Sequence, residues 1–112
     1  MPKKTLDPLP SAAFQILLAL VDGDSHGYAI MRHVAEQTAG RMRLGPGTLY
    51  SSIQSLLEAG LIEEMERENE ERRRFYRLTS AGRRCVRDEV ERLEELVRVA
   101  RAKKRLLEGE YV

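Results

Sequence analysis

At 112 residues the chain has room for one compact domain and an added element that needs a partner to bury its apolar side. A hydrophobic fraction of 42%, beside 33% charged and 5% aromatic residues, suits a helical protein with long solvated faces. The net charge of +1 decides nothing about a polyanionic partner, and the single cysteine, Cys85, excludes an internal disulfide framework and fits a reducing compartment.

The distribution of charge says more than its sum. Arginines crowd positions 72–74, 77, 83, 84 and 87, whereas 58–71 is mostly acidic. A local basic patch can therefore exist on a nearly neutral molecule. The longest apolar run, Ala12 to Val21, contains Gln15 and is too short to span a bilayer. Lys3 and Lys4 ahead of it imitate a secretion leader only weakly. Asp7, Pro8 and Pro10 interrupt the approach, and Asp22 and Asp24 stand where a small-residue cleavage site would be. The expectation is a cytoplasmic protein without a membrane segment.

Residues 1–10 hold three prolines and no periodic apolar pattern, and they read as an N-terminal arm. Ser11 is the expected N-cap of a first helix, with Phe14, Leu17, Leu18 and Val21 on one face and Ile16 and Leu20 widening it. Gly23 and the flanking aspartates end it. Ser25 is then expected to cap a second helix, with Ile30, Met31, Val34 and Thr38 inward and Arg32, His33, Glu36 and Gln37 outward. Gly40 stops this helix as a left-handed residue would. The alternation in Arg41-Met42-Arg43-Leu44 predicts a very short strand.

Gly45-Pro46-Gly47 forms a turn in which Pro46 suits the first helical position. The third helix runs to about Ala59, gathers Leu49, Ile53, Leu56 and Leu57 on one stripe, and is closed by Gly60. Two strands, Leu61 to Arg67 and Arg73 to Leu78, flank a polar tip, Glu68-Asn69-Glu70-Glu71-Arg72. Thr79 can cap a last helix reaching about Leu107. Along it Val86, Val90, Leu93, Val97, Ala100, Lys104 and Leu107 alternate four and three apart, a heptad seam broadened by Leu96, Val99 and Leu106. Asp88–Arg92 and Glu94–Arg98 are the expected outward ion pairs.

The order is helix, helix, short strand, helix, strand, wing, strand, long helix. The fold class this predicts is mainly α with a small β-hairpin wing (α+β): a winged helix-turn-helix over 11–78 and a long C-terminal dimerisation helix over 79–108, between the arm 1–10 and a tail 109–112. In such folds the second helix of the pair reads base edges in the major groove. Here that is the third helix of the chain. Its apolar stripe turns Gly47, Ser51, Gln54, Ser55 and Glu58 outward, with Thr48 and Tyr50 on the flanks. This face is nearly free of positive charge; its hydroxyls permit close approach, and Gln54 can pair with adenine N6 and N7. Phosphate affinity then falls to Arg72, Arg73 and Arg74 at the wing, with Arg43, Arg41, Lys3 and Lys4 in support. The bland alternative for the arginine run is a solvated strand end paired with Glu68, Glu70 and Glu71.

Other constellations carry less. His26 and His33 are seven apart, whereas helical metal ligands stand three or four apart, so they read as a helix-start residue and an exposed one. Cys85 beside the seam can be a packing residue or, with Arg83 and Arg84 favouring its thiolate, a redox sensor. Gly45-Pro46-Gly47-Thr48 lacks the lysine of a phosphate loop. Tyr28, Tyr50 and Tyr76 are more simply core edge or backbone contact than a ligand box. No catalytic set, metal or cofactor is expected. Two classes remain: a DNA-binding regulator, or a winged-helix adaptor that binds protein. The seam of the last helix likewise allows a homodimer or a helix folded back on its own chain.

Four segments occur together: His26-Gly27-Tyr28-Ala29-Ile30; Leu44-Gly45-Pro46-Gly47-Thr48-Leu49-Tyr50; Leu56-Leu57-Glu58-Ala59-Gly60-Leu61-Ile62; and Arg74-Phe75-Tyr76-Arg77-Leu78-Thr79-Ser80-Ala81-Gly82. In this order and spacing the chain resembles the PadR-like transcriptional regulators from about Leu9 to Leu107. The resemblance implies a homodimer in which the C-terminal helices pair, usually repressing a neighbouring operon; the heptad seam then makes Val86, Val90, Leu93, Val97, Ala100 and Leu107 the expected contacts. It implies double-stranded DNA as partner, faced by Thr48, Tyr50 and their neighbours. Some relatives release DNA on binding phenolic acids or planar drugs between subunits, which implies an unidentified small-molecule effector. Drug-binding relatives rely on tryptophans, and this chain has none.

Overall fold

The chain bends at Pro8 and is extended at Pro10, the N-cap of the first helix, α1 (Ser11–Ala19). A computed structural model describes residue 6, residues 8–65 and residues 74–109. Ser11, expected as the cap, is instead the first helical residue, and no side chain caps this end. Proline at the cap fixes the extended backbone there and has no N–H to satisfy. The inward face also differs from expectation. Ile16, Leu17 and Leu20 are fully buried, Phe14 and Leu18 are half-buried, and Val21 is 44% exposed.

A two-residue strand, β1 (Ser25–His26), precedes α2 (Gly27–Gln37). Ser25 is therefore a buried strand residue, not the helix cap. His26 takes that role, its Nδ1 accepting from the Ala29 amide at 3.3 Å while its ring meets Phe75 edge-on. His33, expected outside, is half-buried.

The end of α2 is a Schellman turn. The Gly40 amide donates to the Ala35 carbonyl at 2.7 Å and the Ala39 amide to the Glu36 carbonyl at 3.2 Å. Ala39 thus occupies the left-handed position, with φ +52°, ahead of Gly40 at +78°. A Cβ is strained there. Ala39→Gly is expected to raise stability by about 1 kcal/mol, read as a higher midpoint in urea with an unchanged slope. At the matching turn after α3 the same position is already glycine, Gly60 at φ +74°.

Residues 41–44 form no strand. Arg41 and Arg43 are exposed while Met42 and Leu44 pack on the core, so the alternation is one of burial only. The backbone here is satisfied by Thr38, whose hydroxyl accepts from the Met42 amide at 2.9 Å and donates to the Val34 carbonyl. The helix α3 (Pro46–Glu58) begins with Pro46 in its first turn and buries Leu49, Ile53 and Leu56. The hairpin strands β2 (Ile62–Met65) and β3 (Phe75–Leu78) pair Ile62 with Leu78 and Met65 with Phe75. Leu61, expected in the first strand, is outside it because its amide is claimed by the Leu56 carbonyl as part of the α3 cap, and Arg74 is outside the second; the expected strand ends at Arg67 and Arg73 lie outside the described residues. β1 joins β3 on its other side, giving an antiparallel sheet in the order β1-β3-β2.

The last helix, α4 (Ser80–Leu107), is capped as expected by Thr79, whose hydroxyl accepts from the Gly82 amide at 3.0 Å and donates to the Gly60 carbonyl at 2.7 Å. Its first turns close the core through Val86, and the rest projects from the domain over 28 residues in all, about 42 Å. In place of the expected Asp88–Arg92 and Glu94–Arg98, Arg92 and Arg98 pair at i,i+3 with Glu89 and Glu95, and Glu89 is turned inward with its side chain 12% exposed.

Candidate nucleic-acid interface

Burial of Leu49, Ile53 and Leu56 fixes which side of α3 meets solvent. Gly47, Thr48, Ser51, Gln54 and Glu58 are turned to that side, and Ser55 is half-buried at the edge of the face. The side-chain amide of Gln54 donates to Glu58 Oε1 at 3.2 Å, so reading a base with that amide requires exchanging an intrahelical bond. The α3 N-terminus opens on Gly45, Pro46 and Gly47 without a side-chain cap. Its first amides remain available to an anion.

Tyr50 is half in water at 51% exposure, and its hydroxyl rests on Gly27 at the start of α2. A Cβ at Gly27 would crowd that oxygen and the Leu49 side chain. Glycine at 27 therefore sets how close the two helices of the pair approach, a role the resemblance supplied only as part of a motif. Tyr28, one residue on, is 68% exposed.

Basic groups flank this face. Arg43 folds its guanidinium back over Gly40. Arg74, at the root of the wing, lies 3.4 Å from Glu64 with 73% of its side chain in solvent. On the other face of the hairpin Arg77 pairs with Glu63. Arg72, Arg73, Lys3 and Lys4 lie outside the described residues, as does the wing tip with its expected Glu68, Glu70 and Glu71 partners.

The seam residues of α4 divide. Val86 is spent on the chain's own core at 8% exposure, contrary to its expected place in a subunit contact. Leu93 is half-buried, whereas Val90, Val97, Ala100 and Leu107 are exposed, as are Leu96, Val99 and Leu106. Val90, Leu93 and Val97 join Phe14 and Leu18 of α1 in a groove of about 700 Å³, with Glu94 and Arg101 along its rim.

Cys85 is half-buried beneath residues Leu6 and Leu9 of the arm. Burial, then the Glu89 and Asp88 carboxylates, push its thiol above the usual value, so the expected help from Arg83 and Arg84 is not what governs it. Among the described residues no cluster of three histidine, cysteine or carboxylate groups could hold a metal ion, and no helix is long and apolar enough to cross a membrane.

Residues 16–88 match the model of the transcriptional regulator PadR-like family. The chain is 34% identical over 84 residues to the transcriptional regulator Rv3488 of Mycobacterium tuberculosis, covering 74% of this chain and 76% of that protein. It is 39% identical over 85 residues, 76% of its length, to an uncharacterized 37.1 kDa protein in transposon TN4556 of Streptomyces fradiae, of which it spans 24%. A transcriptional regulator from Clostridium thermocellum superposes with a TM-score of 0.71 at 30% identity, over 80% of this chain and 88% of that one. The fold is shared with Bacillus subtilis PadR, solved in complex with operator DNA, at 21% identity and a TM-score of 0.62, over 74% of this chain and 48% of that one. The match spans both helices of the reading pair, the sheet and the start of α4, and this chain belongs to the PadR-like family of transcriptional regulators, which are not enzymes.

Proposed function

We propose that the chain acts in the cytoplasm as a homodimeric repressor of a nearby operon, placing α3 in the major groove and its wing on the backbone. The observation that carries this reading is the exposed face of α3: hydroxyls, one amide and backbone, with Glu58 the one charge and no cation, in a chain that is one-third charged. Thr48, Ser51, Gln54 and Ser55 supply base contacts, Gly47 and Tyr50 the close approach, and Arg43, Arg72, Arg73 and Arg74 hold phosphates. A protein of the same fold, B. subtilis PadR, has been solved in complex with operator DNA, which supports DNA as the partner.

Two copies meet through the solvent-facing part of the α4 seam, Val90, Leu93, Val97, Ala100 and Leu107. Charge favours an antiparallel arrangement. A parallel pair would stack Lys104 on its own copy, whereas the antiparallel pair sets Lys104 against apolar seam and brings Glu94 beside Arg101 of the partner subunit. Glu94 and Arg101 line the same groove, as that pairing needs. An effector that releases DNA would act at this subunit boundary, beside the α1–α4 groove.

The test is binding to DNA upstream of the chain's own coding region, measured at several salt concentrations. The variant Arg72→Ala/Arg73→Ala/Arg74→Ala is expected to bind every duplex more weakly and to flatten the log–log salt slope by about 0.9 for each phosphate it no longer neutralises. Gln54→Ala should instead change which duplex is preferred. An unchanged slope in the arginine variant would remove the wing contact, and no binding to any duplex would favour the protein adaptor.

A further inference from the structure

The root of the wing carries a second arrangement that phosphate binding alone does not account for. Glu64 and Tyr76 face each other across β2 and β3. Arg74, two residues before Tyr76 in the chain, projects from the same face of the hairpin. Its Nε lies 3.4 Å from Glu64 Oε1, and its charge is close enough to act on the Tyr76 hydroxyl. Tyr76 is an immovable anchor, only 2% exposed. Burial, and then the Glu64 carboxylate, push its hydroxyl above the usual phenol value. The arginine is 73% and the glutamate 42% exposed, which leaves their pairing open to a competing anion.

We propose that Glu64 is a brake on sequence-independent DNA binding: it holds Arg74 against the Tyr76 anchor in the free protein, and a phosphate must displace it. The inference rests on the DNA-binding reading above. Phosphate contacts reward every duplex alike, and a regulator with unopposed arginines would be spread over non-operator DNA. A carboxylate within reach of one such arginine lowers that background without touching a base. It remains beside the phosphate once displaced, so its penalty persists in the complex.

The neighbouring pair provides an internal control. Glu63 and Arg77 face each other one residue along, on the opposite side of the hairpin, and neither is among the groups that act on the Tyr76 hydroxyl. Glu63→Gln and Glu64→Gln change the net charge equally and differ only in which arginine they release. Affinity for a scrambled-sequence duplex is therefore measured by fluorescence anisotropy across a salt series for the wild type, both variants, Arg74→Ala, and Glu64→Gln/Arg74→Ala.

Glu64→Gln is expected to bind the scrambled duplex roughly threefold to fivefold more tightly than the wild type, with a steeper salt slope. Glu63→Gln should match the wild type, and Glu64→Gln/Arg74→Ala should bind no better than Arg74→Ala. Equal gains in Glu63→Gln and Glu64→Gln would reduce the effect to net charge and overturn the proposal. So would a Glu64→Gln protein indistinguishable from the wild type. If the wild type binds operator DNA normally in either case, the DNA-binding reading survives; a wild type that binds no duplex at low salt sinks both.

Discussion

Gly82→Ala is expected to cost about 2–4 kcal/mol and to lower the melting temperature by about 10 °C or more. A Cβ at this position would come closer than 3.0 Å to the Leu61 carbonyl oxygen and 3.1 Å from its carbon. The obstacle is backbone, and that backbone cannot step aside. The Leu61 carbonyl accepts from the Thr79 amide at 3.1 Å, while its own amide completes the cap of α3. Helix propensity favours alanine over glycine by about 1 kcal/mol, which offsets only part of the clash. Thermal unfolding of Gly82→Ala beside Gly47→Ala checks the argument, because a Cβ at exposed Gly47 meets nothing within 4 Å. Equal melting temperatures for the two variants would show that α4 does not need its close seat on residue 61.

Val97→Glu is expected to weaken self-association at least a hundredfold, roughly 3 kcal/mol, while leaving the monomer folded. Val97 is 45% exposed in the single chain, so a carboxylate there is solvated until a second copy covers it. Sedimentation over a concentration series, with circular dichroism to report folding, reads both halves of the expectation. Orientation is tested by charge exchange. Glu94→Arg and Arg101→Glu should each weaken the dimer, and the double variant should restore it. Failure of the double variant to recover would argue against the antiparallel pairing, and an unaltered sedimentation profile for Val97→Glu would remove the seam from the interface.

The reading helix was legible because its constraints act locally. Pro46 and Gly60 bracket α3, and a stripe three and four residues apart leaves no second way to bury Leu49, Ile53 and Leu56. The first helix was harder for a physical reason. It packs against α2 and α3 on one side and α4 on the other, so its apolar residues surround most of the circumference. Periodicity cannot rank faces that are all covered, and Phe14 and Leu18, expected on one face with Leu17 and Val21, ended on the α4 side.

Strand β1 left no trace because two residues cannot show alternation. Its existence depends on Phe75 and Tyr76, some fifty positions away in the chain, presenting a free edge. The same long-range pairing moved the helix cap from Ser25 to His26. On α4 the charges were legible and their pairing was not. Exposed arginines reach glutamates at either three or four residues for nearly equal energy, and the chain settles on three at Glu89–Arg92 and Glu95–Arg98. The groups proposed to touch base pairs were visible from the stripe, whereas the Glu64–Arg74–Tyr76 arrangement required knowing the strand register.

Thr79 sits at a joint with almost no play. One hydroxyl ties the residue that ends the third helix to the amide that opens the fourth, and the main chain of Leu61 is fastened on both sides of the same knot. Two long rods welded at an elbow turn together. In the proposed dimer, any rotation of one α4 about its partner would be delivered to α3 as a change in pitch and separation, with little dissipated by bending between them.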